Sequence, residues 1–421
     1  MNRFAPASIV PVVVSALAFC AAGQVRAEDW PRFRGPTGQG VSTEKNLPLR
    51  WSATENVAWK TAVPPLGWSS PIVIKDRVFL TTAAGSGESC RIICIDARTG
   101  QVVWDKEVLR QALRRKEGRN SYATCTPVSD GTMVYAVFAE GTIVAVDFDG
   151  NVAWINRDVR YYSQHGLAVS PILWEDLLIM QYDASAEEGD LRVGWQIPWD
   201  RSFVLAVDKR TGRERWRAMR GRSRIGHITP NIMTVGGKPQ LISAAGDVIQ
   251  GFEPASGRLL WTVANPGEGV VPSIVIGDGL IFTASGFGAP AIRATRPAEG
   301  DTPAQVVWEV KQQVPMMSSF IYSDGRLFTI KETGIAMCLD ARTGKIIWTE
   351  RIGGTHSASP ILAEGRIYFL SEEGESVIIE AADQFRVVAT NTIGERCRAS
   401  YAVSGGRLFI RSEKNLYCIG K

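Results

Sequence analysis

Hydrophobic residues along this chain occur in short blocks of Val, Ile, Leu and Phe that alternate with polar positions or run uninterrupted. Gly, Asp and Pro bound these blocks. An amphipathic helix would place apolar residues at a spacing of 3.6 over a longer window, whereas blocks of this kind are typical of strands. The pattern therefore predicts an all-β protein.

A sequence repeat overlies this pattern. A small residue, an acidic residue, Thr-Gly and Trp recur in one frame at residues 94–104, 206–216 and 338–348, conservatively varied at residues 251–261 and one position shorter at residues 145–154. Equivalent tryptophans are separated by 40 to 62 residues, the period range of four-stranded propeller blades. We interpret these tryptophans as structural docking residues. They are Trp59, Trp104, Trp154, Trp216, Trp261, Trp308 and Trp348.

One blade can be assigned in full. Residues 70–74 form its inner strand, residues 78–82 the second, residues 92–96 the third and residues 101–104 the outer strand. Thr99-Gly100 supplies the tight turn, because Gly tolerates positive φ. Equivalent openings recur, and their number predicts eight blades. The openings are Ser70-Pro71, Thr126-Pro127, Ser170-Pro171, Thr229-Pro230, Val271-Pro272, Ser318-Ser319, Ser359-Pro360 and Ala399-Ser400.

The two ends of the chain predict how the ring closes. After residues 407–411 and 416–419 the eighth blade still needs an outer strand. Residues 56–59, Asn-Val-Ala-Trp, repeat residues 151–154 letter for letter and are assigned as that strand. Joining the first and last segments in one sheet leaves no open edge between blades. The predicted fold is an eight-bladed β-propeller of antiparallel blades, closed by its N-terminal strand.

The first residues have the composition of a secretory signal peptide, which we assign to residues 1–27. Arg3 is its basic start, residues 9–23 are its apolar stretch, and Val25-Arg26-Ala27 is a small-x-small cleavage site. Lipid anchoring at Cys20 is disfavoured by the bulky residue that precedes it. The sequence therefore predicts export to the periplasm or the extracellular space.

Beyond the signal we expect a lead-in segment at residues 28–52 and a single propeller at residues 53–421. The lead-in segment is the one stretch whose composition leaves disorder open. Removing Arg3 and Arg26 leaves 45 of the 47 basic residues against 43 acidic ones. This near balance argues against a dedicated nucleic-acid binder. We expect a monomer without a transmembrane segment.

Three of the six cysteines beyond the signal occupy a third-strand position that is Ala in other copies, and they are predicted to be small buried core residues. These are Cys94, Cys338 and Cys418. The other three have no such equivalent, and disulfide pairing among them stays open. These are Cys90, Cys125 and Cys397. The chain contains no CxxC or Cys/His spacing of the kind that binds zinc.

The repeat frame resembles the tryptophan-docking repeat of the pyrroloquinoline-quinone (PQQ) propeller family over residues 51–421. Two branches of that family matter here, the quinoprotein alcohol and glucose dehydrogenases and the propeller lipoprotein of the outer-membrane protein assembly machinery. The resemblance implies that each docking Trp packs against the neighbouring blade. Residues 29–36, Asp-Trp-Pro-Arg-Phe-Arg-Gly-Pro, also look like a lead-in common in secreted bacterial members.

The dehydrogenase branch implies features that this chain lacks. Those enzymes carry adjacent cysteines beside the quinone, and no two cysteines are adjacent here. Their calcium carboxylates and catalytic Asp lie in insertions that match no position of this chain. We therefore assign no catalytic residue, metal or cofactor, with PQQ and calcium kept as an alternative. The sequence favours a binding or assembly scaffold in the cell envelope over a PQQ-dependent oxidoreductase.

Loops on one face of the propeller carry most of the candidate chemistry. Strand direction alternates, so second-to-third loops and blade connections share one face, here called the upper face, whereas turns such as residues 96–100 lie on the lower face. The upper face receives residues 105–125 and residues 183–202, which include the candidate docking residues Trp195 and Trp199. Loops that vary on a rigid scaffold are where binding usually resides.

A candidate pocket gathers where the chain enters inner strands near the upper mouth of the channel. Its members are Trp68, Asn120, Tyr122, His165, Arg224, His227, His356 and Arg398. The histidines lack metal-ligand spacing and are more simply explained as separate loop residues. The arginines fit a small anionic ligand or an acidic surface of an envelope protein partner. The aromatic members, together with the loop tryptophans, leave carbohydrate binding as a further alternative.

Two further expectations concern local structure. Arg215 and Arg217 flank Trp216 on an outer strand, where surface salt bridges are the simplest role for them. Residues 105–120 place apolar side chains at helical spacing and end in basic residues, which predicts a surface helix over blade 1.

Overall fold

The computed structural model describes Met1 and residues 27–420, and every regular element in these residues is a strand. Residues 2–26, which hold most of the assigned signal peptide and Cys20, lie outside the described part. Thirty-two strands in the described part form eight four-stranded antiparallel sheets. The prediction of eight four-stranded blades is confirmed.

β1 (Val57–Ala62) comes first in the chain and belongs to the last blade. Blades 1 to 4 then follow in order from the inner to the outer strand. Blade 1 contains β2 (Ile72–Ile74), β3 (Arg77–Ala84), β4 (Ser89–Asp96) and β5 (Val102–Arg110). Blade 2 contains β6 (Val128–Ser129), β7 (Met133–Val137), β8 (Ile143–Asp147) and β9 (Val152–Asn156). Blade 3 contains β10 (Ile172–Trp174), β11 (Leu177–Tyr182), β12 (Phe203–Asp208) and β13 (Glu214–Met219). Blade 4 contains β14 (Asn231–Val235), β15 (Lys238–Ala245), β16 (Asp247–Phe252) and β17 (Leu259–Asn265).

Blades 5 to 8 repeat this order. Blade 5 contains β18 (Val275–Gly277), β19 (Leu280–Ser285), β20 (Ala291–Arg296) and β21 (Gln305–Val310). Blade 6 contains β22 (Ile321–Ser323), β23 (Arg326–Lys331), β24 (Ile335–Asp340) and β25 (Ile346–Arg351). Blade 7 contains β26 (Ile361–Ala363), β27 (Arg366–Leu370), β28 (Glu375–Glu380) and β29 (Val387–Thr392). Blade 8 contains β30 (Ala402–Ser404), β31 (Arg407–Arg411), β32 (Asn415–Ile419) and, as its outer strand, β1.

The closure of the ring follows the prediction. β1 pairs antiparallel with β32, and Trp59 lies opposite Cys418. This is the same register in which Trp104 lies opposite Cys94 in blade 1. The first strand of the propeller therefore completes its last blade.

A closed ring of hydrogen bonds joins the eight inner strands around the channel. In each blade a Ser or Thr hydroxyl oxygen accepts from the backbone N–H of the equivalent residue in the preceding blade, at 2.9–3.2 Å. The members are Ser70, Thr126, Ser170, Thr229, Ser273, Ser319, Ser359 and Ser400. The predicted opening of blade 5, Val271-Pro272, was placed too early, because Ser273 holds the ring position.

Most of the docking tryptophans pack against the next blade, as the family resemblance implied. Six of the seven donate an indole Nε1–H to a backbone carbonyl of the following blade, at 2.8–3.1 Å. These six are Trp59, Trp104, Trp154, Trp216, Trp308 and Trp348. In the first five of them the ring also lies over a turn glycine at positive φ, where a Cβ would come within 3.0 Å of the indole. The turn glycine therefore serves both the backbone conformation and the docking.

Trp261 docks within its own blade instead. Its Nε1–H donates to Oε1 of Gln240 at 2.7 Å. The ring lies across Gly251, its partner on β16, where an added Cβ would collide with the indole. The other docking tryptophans face Ala or Cys at this register position. The missing Cβ is what allows the indole of Trp261 to lie over its own strand.

The described cysteines are all buried and free. Cys94, Cys338 and Cys418 have no exposed surface and lie in the third strands, as predicted. The pairing left open for the other three is not formed. Burial raises the pKa of the Cys125 thiol far above its ordinary value. These cysteines act as small core residues.

The lead-in segment, for which composition left disorder open, is ordered. Trp30 is fully buried, and its backbone forms two hydrogen bonds with Val73 of β2, at 2.7 and 2.9 Å. Arg34 is 1% exposed and donates to the carbonyl oxygens of Gln39 and Phe320. Contacts with distant parts of the chain bury these lead-in residues, which the local composition alone did not predict.

The lead-in segment closes the channel from the lower face. Hydrogen bonds attach it to blades 1, 2, 4, 5, 6, 7 and 8. Arg32 donates to Oδ1 of Asn231 at 3.1 Å, and Gln39 Oε1 accepts from the backbone N–H of Ile276. Burial lowers the pKa of Arg32 to about 10 and that of Arg34 to about 9. The channel is thus occupied by the chain itself.

The helix predicted at residues 105–120 is not formed. Residues up to Arg110 belong to β5, which pairs with β4 through two irregularities. Val108 and Leu109 are buried against the core of blade 1. Gln111 then ends the strand by donating to the carbonyl oxygen of Gly87 at 2.9 Å. Pairing with β4 satisfies the backbone hydrogen-bonding groups of these residues within the sheet.

Candidate functional site

Two long loops of the upper face meet over blade 2. Arg114 of the blade 1 connection forms ion pairs with Glu140 of blade 2 and Glu187 of the blade 3 loop. The backbone N–H of Glu117 donates to the carbonyl oxygen of His165 at 3.2 Å. The two loops therefore form one continuous surface rather than separate decorations.

A histidine pair lies beneath this junction. The ring of His165 is 5.3 Å from the ring of Trp195 and 5.8 Å from that of His227, both in edge-on contact. Asn120 donates to the carbonyl oxygen of His165 at 2.8 Å. The sequence-predicted residues from blades 1, 3 and 4 are thus brought together.

Both imidazoles of this pair are held neutral. Burial, together with the smaller effect of the neighbouring His165, lowers the pKa of His227 to about 3. Burial also lowers the pKa of His165. The Nδ1 atoms of both rings are buried without a hydrogen-bond partner. The pair contributes shape and aromatic contact at neutral pH, not positive charge.

His356 lies apart from this pair. It is 1% exposed, and its Nε2 pairs with the carbonyl oxygen of Gly353 at 2.8 Å. Burial lowers its pKa. Within Met1 and residues 27–420, no three His, Cys, Asp or Glu side chains are grouped so that they could hold a metal ion.

The two arginines of the candidate pocket already have carboxylate partners. Arg224 contacts both carboxylate oxygens of Asp247, at 2.9 and 2.6 Å, and lies 3.8 Å from Glu268. Arg398 donates to Glu372 at 3.1 Å. The positive charge of each guanidinium is therefore largely balanced by neighbouring carboxylates.

The aromatic side chains proposed as stacking platforms are each covered on one side. Arg398 lies over Trp68 at 5.5 Å, Lys116 over Tyr122 at 5.4 Å and Arg201 over Trp199 at 5.2 Å, while Trp195 carries His165. Cation–π contacts of this kind are typical where an aromatic ring meets a basic surface. A sugar stacking on Trp68, Tyr122 or Trp199 would have to use the face opposite the cation.

Sequence reasoning missed three exposed apolar side chains on this face. Leu113 is 48% exposed, Leu191 40% and Phe287 39%. Leu191 lies in the tryptophan loop, and Arg224 connects Phe287 to that loop, because it follows the Ser223 that pairs with Trp199 and reaches Glu268 beside Phe287. The signal that could have found them is an apolar residue in a polar loop. We call the surface formed by six side chains of these loops, four of them exposed and two half-buried tryptophans, the upper docking surface. It comprises Leu113, Arg115, Leu191, Trp195, Trp199 and Phe287.

A buried ion pair anchors this surface from below. Arg220 donates to Asp183 at 2.7 Å, and both side chains are fully buried. The guanidinium also donates to Gln250 and Ser243 of blade 4. Burial raises the pKa of Asp183, and Arg220 opposes that rise. Asp183 begins the blade 3 loop, so this network fixes the base of the loop to the neighbouring blade.

Arg215 and Arg217 form the local surface salt bridges that were predicted. Arg215 pairs with Asp208 at 3.2 Å and Arg217 with Glu214 at 2.7 Å. The Arg217–Glu214 pair is exposed on the outer strand, whereas Asp208, at the end of β12, is buried beneath Arg215. Exposed pairs such as Arg217–Glu214 contribute about 0 to 1 kcal/mol each.

The described residues do not fit a PQQ and calcium site. The cysteines are dispersed through the cores of different blades, and none has a cysteine neighbour in sequence. Three carboxylates of the upper-face loops, Asp247, Glu268 and Glu372, each lie within 4 Å of an arginine. Among the described residues these carboxylates are therefore already paired and do not form a donor set for a divalent cation beside a quinone.

Comparisons with known proteins agree with this architecture. A curated relative, 1-butanol dehydrogenase (quinone) from Thauera butanivorans, is 24% identical over 71% of this chain. The match spans about half the length of that relative, 49%. No helix among the described residues has the length and apolarity of a membrane span.

Solved structures share the fold at low identity. BamB from Moraxella catarrhalis superposes with a TM-score of 0.58 at 12% identity, covering 86% of this chain and 99% of that one. A computationally designed protein, Ika8, gives 0.59 at 10% identity over 86% and 99%. A europium-containing methanol dehydrogenase gives 0.52 at 11% identity over 91% and 89%.

The family assignment rests on more than half of the chain. The profile described as outer membrane protein assembly factor BamB matches residues 49–238 and 291–392, which include most of the blades. The docking tryptophans and the turn glycines beneath them lie in the same repeat frame. The chain therefore belongs to the family of PQQ-type propellers described as outer membrane protein assembly factor BamB.

Proposed function

We propose that this protein is an exported scaffold of the cell envelope that binds a protein partner through the upper docking surface. The observation that carries the proposal is the joining of two long loops into one exposed surface of aromatic, apolar and basic side chains. Surfaces of this composition, with Trp and Arg prominent, are typical of protein interfaces. The family description, an assembly factor, supports the same role.

The electrostatics of the upper face favour a protein over a small anion. Arg224 and Arg398 are paired, so they offer an anion little uncompensated charge. Arg115 and Arg119 are exposed, and neither side chain has a carboxylate partner among the described residues. Cations at the rim of an apolar surface steer a partner and set its orientation.

The occupied channel supports the same choice. A ligand entering from the lower face would have to displace the lead-in segment, which is bonded to seven blades. A protein partner needs only the exposed loops. The alternative of a PQQ-dependent oxidoreductase draws on the quinone dehydrogenase relative, but the donor set described above does not support it.

Site-specific photo-crosslinking in cells that export the protein tests this proposal. A photoreactive residue in place of Leu191, on the upper face, should capture a defined envelope protein. The same residue in place of Lys345, exposed on the lower face, should not. Equal capture from both faces, or none from Leu191, would argue against the proposed surface.

The identified partner then allows a quantitative test. Trp195→Ala combined with Trp199→Ala should weaken its binding about tenfold or more, because interface tryptophans carry a large share of binding energy. Trp174→Ala is the matched control, since this tryptophan is half-buried at the lower end of β10 in the same blade. Unchanged affinity of the double variant would exclude the tryptophan loop from the interface.

A further inference from the structure

The start of the lead-in segment is held by an unusual pair of carboxylates. The backbone N–H of Glu28 donates to Oε1 of Glu44 at 2.6 Å. Glu44 also accepts from the backbone N–H groups of Gly405 and Gly406, at 2.9 Å each, in the turn between β30 and β31. A single carboxylate therefore joins the lead-in segment to the blade that closes the ring.

The Glu28 side chain is bound as firmly as its backbone. It accepts from Oγ of Ser42 at 2.7 Å and from the backbone N–H and Oγ1 of Thr43 at 3.0 Å each. The donors that reach the Glu28 and Glu44 carboxylates are thus all neutral.

No Lys or Arg of the described residues forms an ion pair with either carboxylate. Lys45 is exposed and lines the same open depression, of about 810 Å³, without reaching them. Asp29 instead accepts from the backbone N–H of Lys75, and Arg407 of β31 donates to the Ala97 carbonyl. Among the described residues, the Glu44 carboxylate therefore faces the backbone nitrogen of Glu28 without a cationic side chain beside it.

We propose that, after the cleavage following Ala27 that the sequence predicts, the amino group released on Glu28 forms an ion pair with Glu44 and locks the lead-in segment to blade 8. This inference rests on the export that the proposed function includes. Val25-Arg26-Ala27 is the small-x-small sequence that signal-cleaving proteases accept. Ala27 is exposed and the Glu28 backbone is already in place.

The chemistry supplies the missing cation. Hydrolysis breaks the C–N bond, water provides the hydroxyl of the new Ala27 carboxyl group, and its proton goes to the Glu28 nitrogen. The resulting α-amine has an ordinary pKa of about 7.7–8.0 and takes up a further proton at neutral pH. An adjacent carboxylate favours the charged form and raises that pKa. The neutral N–H contact with Glu44 becomes a charge-assisted hydrogen bond.

The first test is the mass of the exported protein purified from cells. The expected N-terminal residue is Glu28. Exported protein that begins at any other residue overturns this inference but leaves the scaffold proposal intact. Unprocessed protein retained in the cytoplasm overturns both.

The second test is the reactivity of the α-amine in the mature protein. Acylation at pH 7, read from the N-terminal peptide by mass spectrometry, should be about tenfold faster in Glu44→Gln, because a pKa lowered by about one unit frees that much more amine. Glu55→Gln is the control, since Glu55 is exposed and forms no side-chain contact in the described structure. Equal rates in wild type and Glu44→Gln would overturn the lock.

A third measurement reads the same ion pair through stability. The mature protein should melt at a higher temperature than an N-acetylated sample. This advantage is complete below pH 7.7, where the amine is charged in both states, and is lost as pH rises through the raised pKa of the folded protein. An advantage that does not change with pH would contradict an ion pair at Glu44.

Discussion

The backbone N–H of Ser400 donates to the hydroxyl oxygen of Ser70 at 3.0 Å, and this contact joins the last blade to the first. Seven equivalent contacts complete the circle, each between a Ser or Thr hydroxyl and a buried backbone N–H. The ring satisfies backbone donors that the short inner strands leave unpaired on the channel side. It also explains the recurrence of Ser or Thr at the openings of the blades.

Ser70→Ala should destabilise the protein by about 1–3 kcal/mol, because it leaves the buried N–H of Ser400 without an acceptor. Urea unfolding of the two proteins measures the difference. Ser86→Ala is the control, since Ser86 is exposed and its hydroxyl forms no hydrogen bond in the described structure. Equal stability of wild type and Ser70→Ala would mean that water replaces the hydroxyl at no cost.

The tryptophans that dock between blades should matter for stability and not for binding. Trp348→Ala should cost about 3–5 kcal/mol through lost burial and the lost bond to the Ala382 carbonyl. Thermal unfolding measures the loss, and partner affinity of the remaining folded protein should be unchanged. Intact stability combined with lost binding would reverse the assignment.

Gly251→Ala should disturb Trp261 selectively. The added Cβ cannot coexist with the indole in its present position, so the ring must leave Gln240. We expect a loss of about 1–3 kcal/mol, typical of overpacking, together with a shifted tryptophan fluorescence. Trp261→Phe in the same background separates the indole from the backbone effect. Unchanged fluorescence would show that the strand moves instead of the ring.

The histidine pair predicts a stability that falls in mild acid. His227 is neutral when folded and has a lowered pKa of about 3, whereas an unfolded histidine titrates near pH 6.5. The unfolded state therefore binds more protons between these values, and stability is full above pH 6.5 and is lost as pH falls below it. His227→Gln should remove about 1–2 kcal/mol of the stability difference between pH 7.5 and pH 5. Urea unfolding at both pH values checks this, and an undiminished difference would assign the acid sensitivity to other groups.

Titration with PQQ and calcium separates the scaffold from the quinone enzyme. A ligand that binds only the folded state raises apparent stability by RT ln(1 + L/Kd), where L is the free ligand concentration, so the melting temperature rises with ligand concentration. We expect no change in melting temperature and no change in the visible absorbance of PQQ when the mature protein is added. A saturable shift in either signal would restore the oxidoreductase alternative.

The sequence by itself determined the architecture. The repeat contains an acidic residue, Thr-Gly and Trp. Its Gly specifies a turn at positive φ, its Trp needs an apolar packing site, and both requirements can be recognised in the local sequence. The match between residues 56–59 and 151–154 was enough to place β1 in the last blade. The burial of Cys94, Cys338 and Cys418 could also be predicted, because each occupies the same third-strand position of the repeat.

Only the tertiary structure decided the parts that depend on contacts between distant segments. The lead-in segment is ordered by contacts with blades far along the chain. An example is the hydrogen bond from Arg34 to the carbonyl oxygen of Phe320 in blade 6. No local sequence pattern encodes such contacts. Residues 105–120 had helical periodicity, but residues 105–110 pair with β4 instead. The candidate site followed the same rule. The sequence placed His165, His227 and Asn120 on one face of the propeller. The contacts among these residues, the neutral state of the histidines and the pairing of Arg224 with Asp247 depend on how neighbouring blades pack around them.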